Sequence, residues 1–409
     1  MRCRHCGAEV TLELVDLGTA PPSNGFLTRE ALRHPEPWLP LRVLVCERCW
    51  LAQTEDFIRP DELFAPDYAY FSSYSSAWLD HAERYVADMV SRFDLGPDSL
   101  VVEVAANDGY LLQYVQARGI SCLGIEPTAS TAAAARERGI EVVEEFFGTS
   151  LADELTSGGQ QADLLIANNV LAHVPDINDF VRGFTRLLKP SGVATFEFHH
   201  LQRLIDGCQF DTMYHEHFSY LSLTAVDRIL AAAGLAVFDV AELETHGGSL
   251  RVFAQRADGG GQPRMPAVDS LLAAEDAAGM RTRDYYAGFG ERVLQVKHGF
   301  LAFLLEARAS GKAVAGYGAA AKGNTLLNYA GVRHDLVAFV ADRNPAKQGR
   351  FLPGSRIPVV SEDALRDGQP DFIVIFPWNL RDEIASQLAY VSAWGGRFVT
   401  AVPALHTWG

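Results

Sequence analysis

Four of the six cysteines form two pairs, and in each pair two residues separate the members. The pairs are Cys3 with Cys6 and Cys46 with Cys49. Two such thiolate pairs on turns are the donor set of a tetrahedral zinc site, although the 39 residues between them exceed the usual spacing. A redox pair is the competing interpretation. Two matched pairs in one proline-broken segment favour metal, and four sulfur ligands indicate a structural zinc because they leave no open coordination position.

Acid–base side chains gather at positions that follow buried strands. They are His173, His199, His200 and the run Tyr214-His215-Glu216-His217. The order HEH lacks the HExxH spacing that places two histidines on one helical face, so a catalytic zinc is not expected. Because imidazole has an ordinary pKa of about 6.5, the cluster predicts proton transfer near neutral pH.

The segment 100–112 predicts a strand, a turn of small and polar residues, and a helix. Such a turn lets the backbone approach a ligand, and Glu126, at the end of the next strand, suits ribose hydroxyls. The pattern predicts a site for S-adenosylmethionine or a dinucleotide; the alternative is a packing turn with a solvated Glu126. The turn lacks GxGxxG, which argues against a nicotinamide. The candidate cofactor residues are Glu103, Ala105, Asn107, Gly109, Glu126 and, after a later strand, Asn168.

A second strand, glycine turn and helix are predicted over 314–327. Lys322 and Asn324 stand near the start of that helix, where backbone N–H groups and a cation suit a diphosphate. Asp342 ends the next strand, as a ribose-binding acid would. The alternative is a degenerate unit that only supports the site. Tyr317 and Gly318 precede Lys322 and Asn324 in the turn.

Alternating apolar runs and amphipathic stretches must position these residues. That alternation predicts parallel sheets with helices on both faces, and hence two Rossmann-like units of the α/β class. The expected division is a loop-rich zinc-binding module at 1–75, the first unit at 76–258, a linker and long helix at 259–310, and the second unit at 311–409.

Composition narrows the function classes. The 409 residues are 48% hydrophobic and 21% charged, which suits a folded chain of two or three domains. A net charge of −16 opposes nucleic-acid binding. The chain opens without an apolar signal segment, and no stretch reaches the ~18 apolar residues of a membrane span. We therefore expect a cytoplasmic protein that binds neither nucleic acid nor membrane.

An ordered set of motifs resembles one family. Besides the cysteine pairs they are E-V-A-A-N-D-G-Y-L-L, G-I-E-P, A-N-N-V-L-A-H-V-P-D, Y-H-E-H-F-S-Y-L, T-H-G-G-S-L-R-V and G-Y-G-A-A-A-K-G-N-T-L-L-N-Y. Over nearly the whole chain they resemble the sugar C-methyltransferases that act on nucleotide-linked 4-keto-deoxysugars. The family's first loop usually begins E-x-G, and Ala105 stands in place of that glycine. We expect cofactor binding to survive with a slightly altered loop.

The resemblance implies roles for the candidate residues. The fold would be a zinc-binding module, an S-adenosylmethionine methyltransferase domain and a C-terminal Rossmann-like domain. His217 would be the base that removes the C-3 proton beside the ketone, although exchange of that role with Tyr214 stays open. Tyr214 and Glu216 would position the sugar or stabilise its enolate, with His173 across the pocket. Tyr70, in the aromatic segment 68–73, would belong to a lid over the cofactor. The C-terminal domain would help to hold the nucleotide diphosphate, and its candidate substrate-binding residues are Tyr317, Gly318, Lys322 and Asn324.

The resemblance also limits the partners. The acceptor would be a dTDP- or GDP-linked 4-ketosugar methylated at C-3, with C-5 as an alternative position, and we expect a monomer. Two competing hypotheses remain from the sequence alone. One is an NAD-dependent sugar-nucleotide oxidoreductase that uses the C-terminal unit, and the other is a zinc-ribbon adaptor without catalytic activity.

Overall fold

Three β-sheets organise the residues that the computed structural model describes, 1–58 and 71–409. The first sheet is antiparallel and has the order β1-β2-β3-β9. Its strands are β1 (Leu12–Ala20), β2 (Leu39–Val45), β3 (Ala52–Thr54) and β9 (Ser219–Tyr220). Because β9 comes from the middle of the chain, the N-terminal module is joined to the central unit by backbone pairing.

The second sheet has seven strands in the order β10-β11-β8-β7-β4-β5-β6. Its strands are β4 (Leu100–Val104), β5 (Ser121–Ile125), β6 (Glu141–Val143), β7 (Ala162–Asn168), β8 (Leu188–His199), β10 (Leu235–Leu243) and β11 (Ser249–Arg256). Strands β4 to β8 are parallel, while β11 runs antiparallel to β8 and β10. The central strands are buried on both faces, which explains their continuous apolar sequences.

Helices cover both faces of this sheet. They are α1 (Ser76–Phe93), α2 (Leu112–Gln116), α3 (Ala129–Glu137), α4 (Thr149–Ser157), α5 (Ile177–Leu187), α6 (Leu201–Asp206) and α7 (Leu223–Ala232). The α5 pattern extends through the following Lys-Pro-Ser-Gly in the sequence, but the helix ends at Leu187 and those residues belong to β8. A proline cannot donate the hydrogen bond that a helix requires, whereas it is tolerated near a strand end.

Three helices replace the single long helix predicted within 259–310. They are α8 (Pro266–Ala277), α9 (Arg283–Tyr286) and α10 (Phe289–Ala309). Gly279 and Gly288, with φ of 87° and 77°, stand in the two breaks. A left-handed residue cannot continue a right-handed helix, and glycine adopts that conformation without a side-chain clash.

The third sheet has the order β14-β13-β12-β15-β16-β17, with β17 antiparallel to its neighbour. Its strands are β12 (Val314–Tyr317), β13 (Val340–Ala341), β14 (Val359–Val360), β15 (Phe372–Ile375), β16 (Arg397–Thr400) and β17 (His406–Trp408). Its helices are α11 (Ala321–Ala330), α12 (Asp363–Gly368) and α13 (Arg381–Gln387). Short 3-10 turns occur at Ala31–Arg33, Ser72–Tyr74, Leu171–His173, Phe210–Thr212, Thr245–Gly247, Trp378–Leu380 and Ala389–Trp394.

Buried hydrogen bonds tie the three units together. The amide nitrogen of Asn324 donates to the Ser23 carbonyl oxygen (2.7 Å), and the Thr325 hydroxyl donates to the Met213 carbonyl oxygen (2.9 Å). Helix α11 thereby fastens the C-terminal sheet to both other units. Within the described residues, no helix is long and apolar enough to cross a membrane.

Candidate active site

A cavity of about 1490 Å³ opens where the three units meet. The N-terminal module contributes Asn24, the central unit contributes the acid–base and cofactor candidates, and the C-terminal unit contributes Lys322 and Lys347. Ligands bind at the carboxyl ends of parallel strands in folds of this kind. The cavity is large enough for two ligands to lie side by side.

The four paired cysteines converge on one point outside the cavity. Their sulfur atoms all lie within 4.8 Å of one another, with 3.5 Å between Cys3 and Cys49 and 3.5 Å between Cys6 and Cys46. A tetrahedral zinc with Zn–S bonds of about 2.3 Å sets its sulfurs about 3.8 Å apart, so the cluster fits the metal. The side-chain amide of Gln53 donates to the Cys3 sulfur (3.3 Å), which suits a thiolate.

His217 and His173 each donate Nδ1–H to a backbone carbonyl. His217 donates to Thr212 and His173 donates to Glu216, both at 2.8 Å. A carbonyl oxygen can only accept, so the neutral form of each ring carries its proton on Nδ1. The two rings lie edge to face with centroids 4.6 Å apart, and the Tyr214 ring lies 4.0 Å from that of His217. Four of the sequence-predicted acid–base residues therefore form one cluster in the cavity wall: His173, Tyr214, Glu216 and His217.

Burial sets the protonation states of this cluster. It lowers the pKa of His217 well below its usual value and that of His173 to about 4, because a charged ring loses its hydration there. Burial raises the pKa of Glu216 to about 7, although Asn24 donates to its carboxylate at 2.8 Å. Near neutral pH the cluster thus holds neutral imidazoles, which accept protons, beside a carboxyl group that titrates.

The turn after β4 faces the cavity, and Glu126 holds it in shape. The carboxylate of Glu126 accepts the backbone N–H groups of Asn107 and Thr128, both at 2.9 Å. Glu126 is buried rather than solvated, and it lines the cavity together with Ala105, Asn107 and Asn168. Ala105 has a φ of 57°. That left-handed conformation costs alanine roughly 1 kcal/mol more than glycine, so the departure from E-x-G introduces backbone strain.

Two of the predicted cofactor residues are not among those that line the cavity. Glu103 is buried beneath the turn, and burial raises its pKa well above the usual value. Gly109, with a φ of 75°, packs so tightly that a Cβ atom would lie 2.3 Å from the Ile140 side chain. Both therefore support the turn from behind. Tyr70 lies outside the described residues, whereas Phe71 of the same segment lines the cavity.

The predicted substrate-binding residues also differ in whether they line the cavity. Lys322 lines the cavity, but Tyr317, Gly318 and Asn324 are not among the lining residues. The Tyr317 hydroxyl donates to Glu362 (3.4 Å), and Asn324 is buried in the contact with the N-terminal module. Gly318, with a φ of 83°, would place a Cβ atom 2.5 Å from the Pro377 ring. Of the four predicted residues, Lys322 is therefore the one that the structure brings into the cavity wall.

The structure places further residues in the cavity wall that sequence reasoning missed. They are Asn24, Trp78, His81, His246, Asn344, Lys347 and Asn379. His246 lies within the quoted T-H-G-G-S-L-R-V motif, so the sequence carried a signal for it. Conversely, His200 pairs with Glu275 (2.8 Å) and His215 donates to the Pro40 carbonyl oxygen (3.1 Å), and neither is among the lining residues.

A full-length relative decides the family. The C-methyltransferase NovU of Streptomyces niveus is 35% identical over 401 residues, which are 98% of this chain and 95% of the relative. The chain belongs to the C-methyltransferase family. Three family descriptions match in order: "Putative zinc binding domain" over 3–64, "Methyltransferase domain" over 78–240 and "C-methyltransferase C-terminal domain" over 244–403.

More distant similarity covers only part of the chain. The ubiquinone biosynthesis O-methyltransferase of Chelativorans sp. (strain BNC1) is 25% identical over 150 residues, which are 34% of this chain and 59% of that protein. The magnesium protoporphyrin IX methyltransferase of Synechocystis PCC 6803 has a TM-score of 0.34 and 15% identity, and the match covers 44% of this chain and 79% of that structure.

Proposed function

We propose that this C-methyltransferase moves a methyl group from S-adenosylmethionine to C-3 of a nucleotide-diphosphate-linked 4-keto-deoxysugar. The observation that carries the proposal is the neutral, buried His217, whose Nδ1–H is committed to Thr212 in the wall of a cavity large enough for donor and acceptor. A proton beside a ketone is acidic enough for an imidazole base to remove.

S-adenosylmethionine would lie on the turn after β4. Ala105 and Asn107 offer a backbone that a ligand can approach, and Glu126 offers a buried carboxylate to ribose hydroxyls. Asn168, at the end of β7, would complete the site. When bound, S-adenosylmethionine supplies an electrophilic methyl group on a sulfonium.

The acceptor would lie between the acid–base cluster and the C-terminal unit. His217 takes the C-3 proton on Nε2, while Tyr214 and Glu216 orient the sugar. His173 lies beside the base and not across the pocket as expected, because its ring centre is 4.6 Å from that of His217. The diphosphate, of a dTDP- or GDP-linked sugar, would lie against the C-terminal edge, where Asn344 and Lys347 line the cavity. Donor and acceptor are then held together with water excluded.

We also propose the four-part division 1–75, 76–258, 259–310 and 311–409. The described elements support it, because β11 ends at Arg256 before α8, and α10 ends at Ala309 before β12 begins at Val314.

The base assignment is tested by His217→Asn. Asparagine can still donate to the Thr212 carbonyl oxygen, but it lacks the basic Nε2. We expect methyl transfer to fall by about 10²–10⁴-fold, as for loss of a general base. Calorimetric binding of S-adenosylmethionine should be unchanged, which controls for folding. Activity within threefold of the native enzyme would contradict the assignment.

A further inference from the structure

Lys322 differs from the other cations of the cavity in what surrounds it. Four Lys or Arg side chains line the cavity within the described residues: Arg84, Lys322, Arg343 and Lys347. Arg343 is largely exposed and pairs with Glu362 at 3.5 Å. The ammonium of Lys322 donates to a neutral acceptor, the side-chain oxygen of Asn379 (2.7 Å), and has no carboxylate at ion-pair distance among the described residues.

Trp378 fixes the position of Lys322. The ammonium lies 4.5 Å from the centre of the indole ring, and the indole N–H donates to the buried carboxylate of Asp211 (2.8 Å). The same ring packs so closely on the loop before β11 that a Cβ atom on Gly247 would lie 2.5 Å from it. Lys322 therefore belongs to the C-terminal unit but is held over the central unit.

The groups that Lys322 faces are the histidines of the active site. After burial, its charge is the largest influence that lowers the pKa of His199 to about 3 and that of His246 to about 4. His217 interacts with the same two rings. Asp211, whose pKa is raised to about 6 by burial, is the carboxylate that acts on Lys322 through space. Lys322 and His217 thus line the same cavity and have His199 and His246 as common neighbours.

Lys347 has different contacts from Lys322. Its ammonium donates to the Ala319 carbonyl oxygen (2.8 Å), and Asp342 acts on it through space. It also lies 5.2 Å from the centre of the Phe26 ring. This position, on the loop after β13 that carries Asn344, suits a diphosphate. The two lysines consequently offer separate sites for negative charge.

We propose that Lys322 stabilises the negative charge that develops on the acceptor's ketone oxygen. The inference rests on the proposed function. As the C-3–H bond breaks, its proton goes to Nε2 of His217 and its electron pair forms the C-3–C-4 double bond, which moves the carbonyl π pair onto oxygen. The electrons return when C-3 bonds to the methyl carbon and the carbon–sulfur bond breaks. A fixed cation in a dry site lowers the energy of that anion.

The test separates deprotonation from methyl transfer. Acceptor and enzyme are incubated in D₂O without methyl donor, and deuterium incorporation at C-3 is followed by mass spectrometry. For Lys322→Met we expect exchange and kcat to fall by about 10²–10³-fold, as for loss of an oxyanion donor, with KM within about threefold. Lys347→Met is the matched variant, and we expect it to raise the KM of the acceptor instead.

Other outcomes would overturn the inference. Exchange at the native rate in Lys322→Met, or an effect confined to KM, would place the ammonium on the diphosphate. If that variant does not fold, as judged by binding of S-adenosylmethionine, Lys322→Arg should exchange at least about tenfold faster than Lys322→Gln, and equal rates would contradict the role. Absence of exchange and methylation in the native enzyme would instead overturn the proposed function.

Discussion

Single residues in the cavity derive their chemistry from burial. An exposed histidine is half protonated near pH 6.5 and an exposed glutamate is ionised at neutral pH. A histidine therefore ordinarily has a higher pKa than a glutamate. In this site burial reverses the order of the two pKa values, since it lowers the pKa of His217 and raises that of Glu216 to about 7. A neutral imidazole is available as a base, and the carboxyl beside it can exchange a proton at the working pH.

Glu216 should make stability depend on pH. In the folded protein the carboxyl group of Glu216 keeps its proton up to about pH 7, whereas in the unfolded chain it releases the proton near pH 4.5. The free energy of unfolding therefore falls as pH rises through that interval. Glu216→Gln removes this dependence, so we expect its stability relative to the native protein to rise by about 2–3 kcal/mol from pH 4.5 to 7.5. Urea unfolding at both pH values measures the difference.

An exposed glutamate provides the control for this measurement. Glu137→Gln, on the solvent side of α3, should leave the pH dependence of stability unchanged. A Glu216→Gln variant that tracks the native protein across the interval would show that Glu216 ionises normally in the fold.

For single residues, the sequence predicts which types of side chain the site contains better than it predicts which of them face the cavity. The run Tyr214-His215-Glu216-His217 predicted acid–base chemistry. Three of its members line the cavity, whereas His215 does not. Nothing in the spacing could separate them, because which side chain faces inward depends on a tight turn closed by the His217 N–H and the Tyr214 carbonyl oxygen (2.9 Å).

Among the secondary-structure elements, the strands that carry cofactor candidates were predictable because they are continuous apolar runs. Strand β9 could not be predicted, because two residues are too few to show an alternation of apolar and polar side chains. It forms by pairing with the edge of β3. The two cysteine pairs lie on two turns that the β1–β2 hairpin and its loops bring together. Their convergence depends on the metal's preference for four sulfurs, which the spacing already indicated.

The cysteine cluster should hold the N-terminal sheet together. For Cys49→Ser we expect the zinc content, measured by inductively coupled plasma mass spectrometry, to fall well below the about one ion per chain of a four-sulfur site. Thermal stability should fall with it, because metal binding and folding are coupled. Cys122→Ser is the control, as this half-buried cysteine lies outside the cluster and should retain the metal. Equal zinc in both variants would contradict the assignment.

For the molecule as a whole, the cavity exists only because three units meet. Asn24 comes from the N-terminal module and Trp378 from the C-terminal unit, and each hydrogen-bonds to a buried carboxyl group of the central unit. The sequence predicts the three units but not the contacts between them, since long-range packing leaves no periodic pattern in the sequence. That is why these residues escaped prediction.

The contact between Trp378 and Asp211 should contribute to the attachment of the C-terminal unit. Trp378→Phe leaves a buried carboxylate without its N–H donor, and we expect a loss of about 2 kcal/mol in the free energy of unfolding. Trp394→Phe is the matched variant, because its indole donates to the neutral Pro370 carbonyl oxygen (3.0 Å) and should cost about 1 kcal/mol. Equal losses in urea unfolding would contradict a special role for the Asp211 contact.

Carbon methylation of a nucleotide-linked ketosugar can be measured in one mass-spectrometric assay. The purified protein is incubated with S-adenosylmethionine and a panel of dTDP- and GDP-linked 4-keto-deoxysugars, and the products are fragmented to locate the added group. We expect a single methyl group on C-3 of at least one acceptor, with an equal amount of S-adenosylhomocysteine. Methylation on oxygen, or no methylation of any acceptor while S-adenosylmethionine binds, would contradict the proposed function.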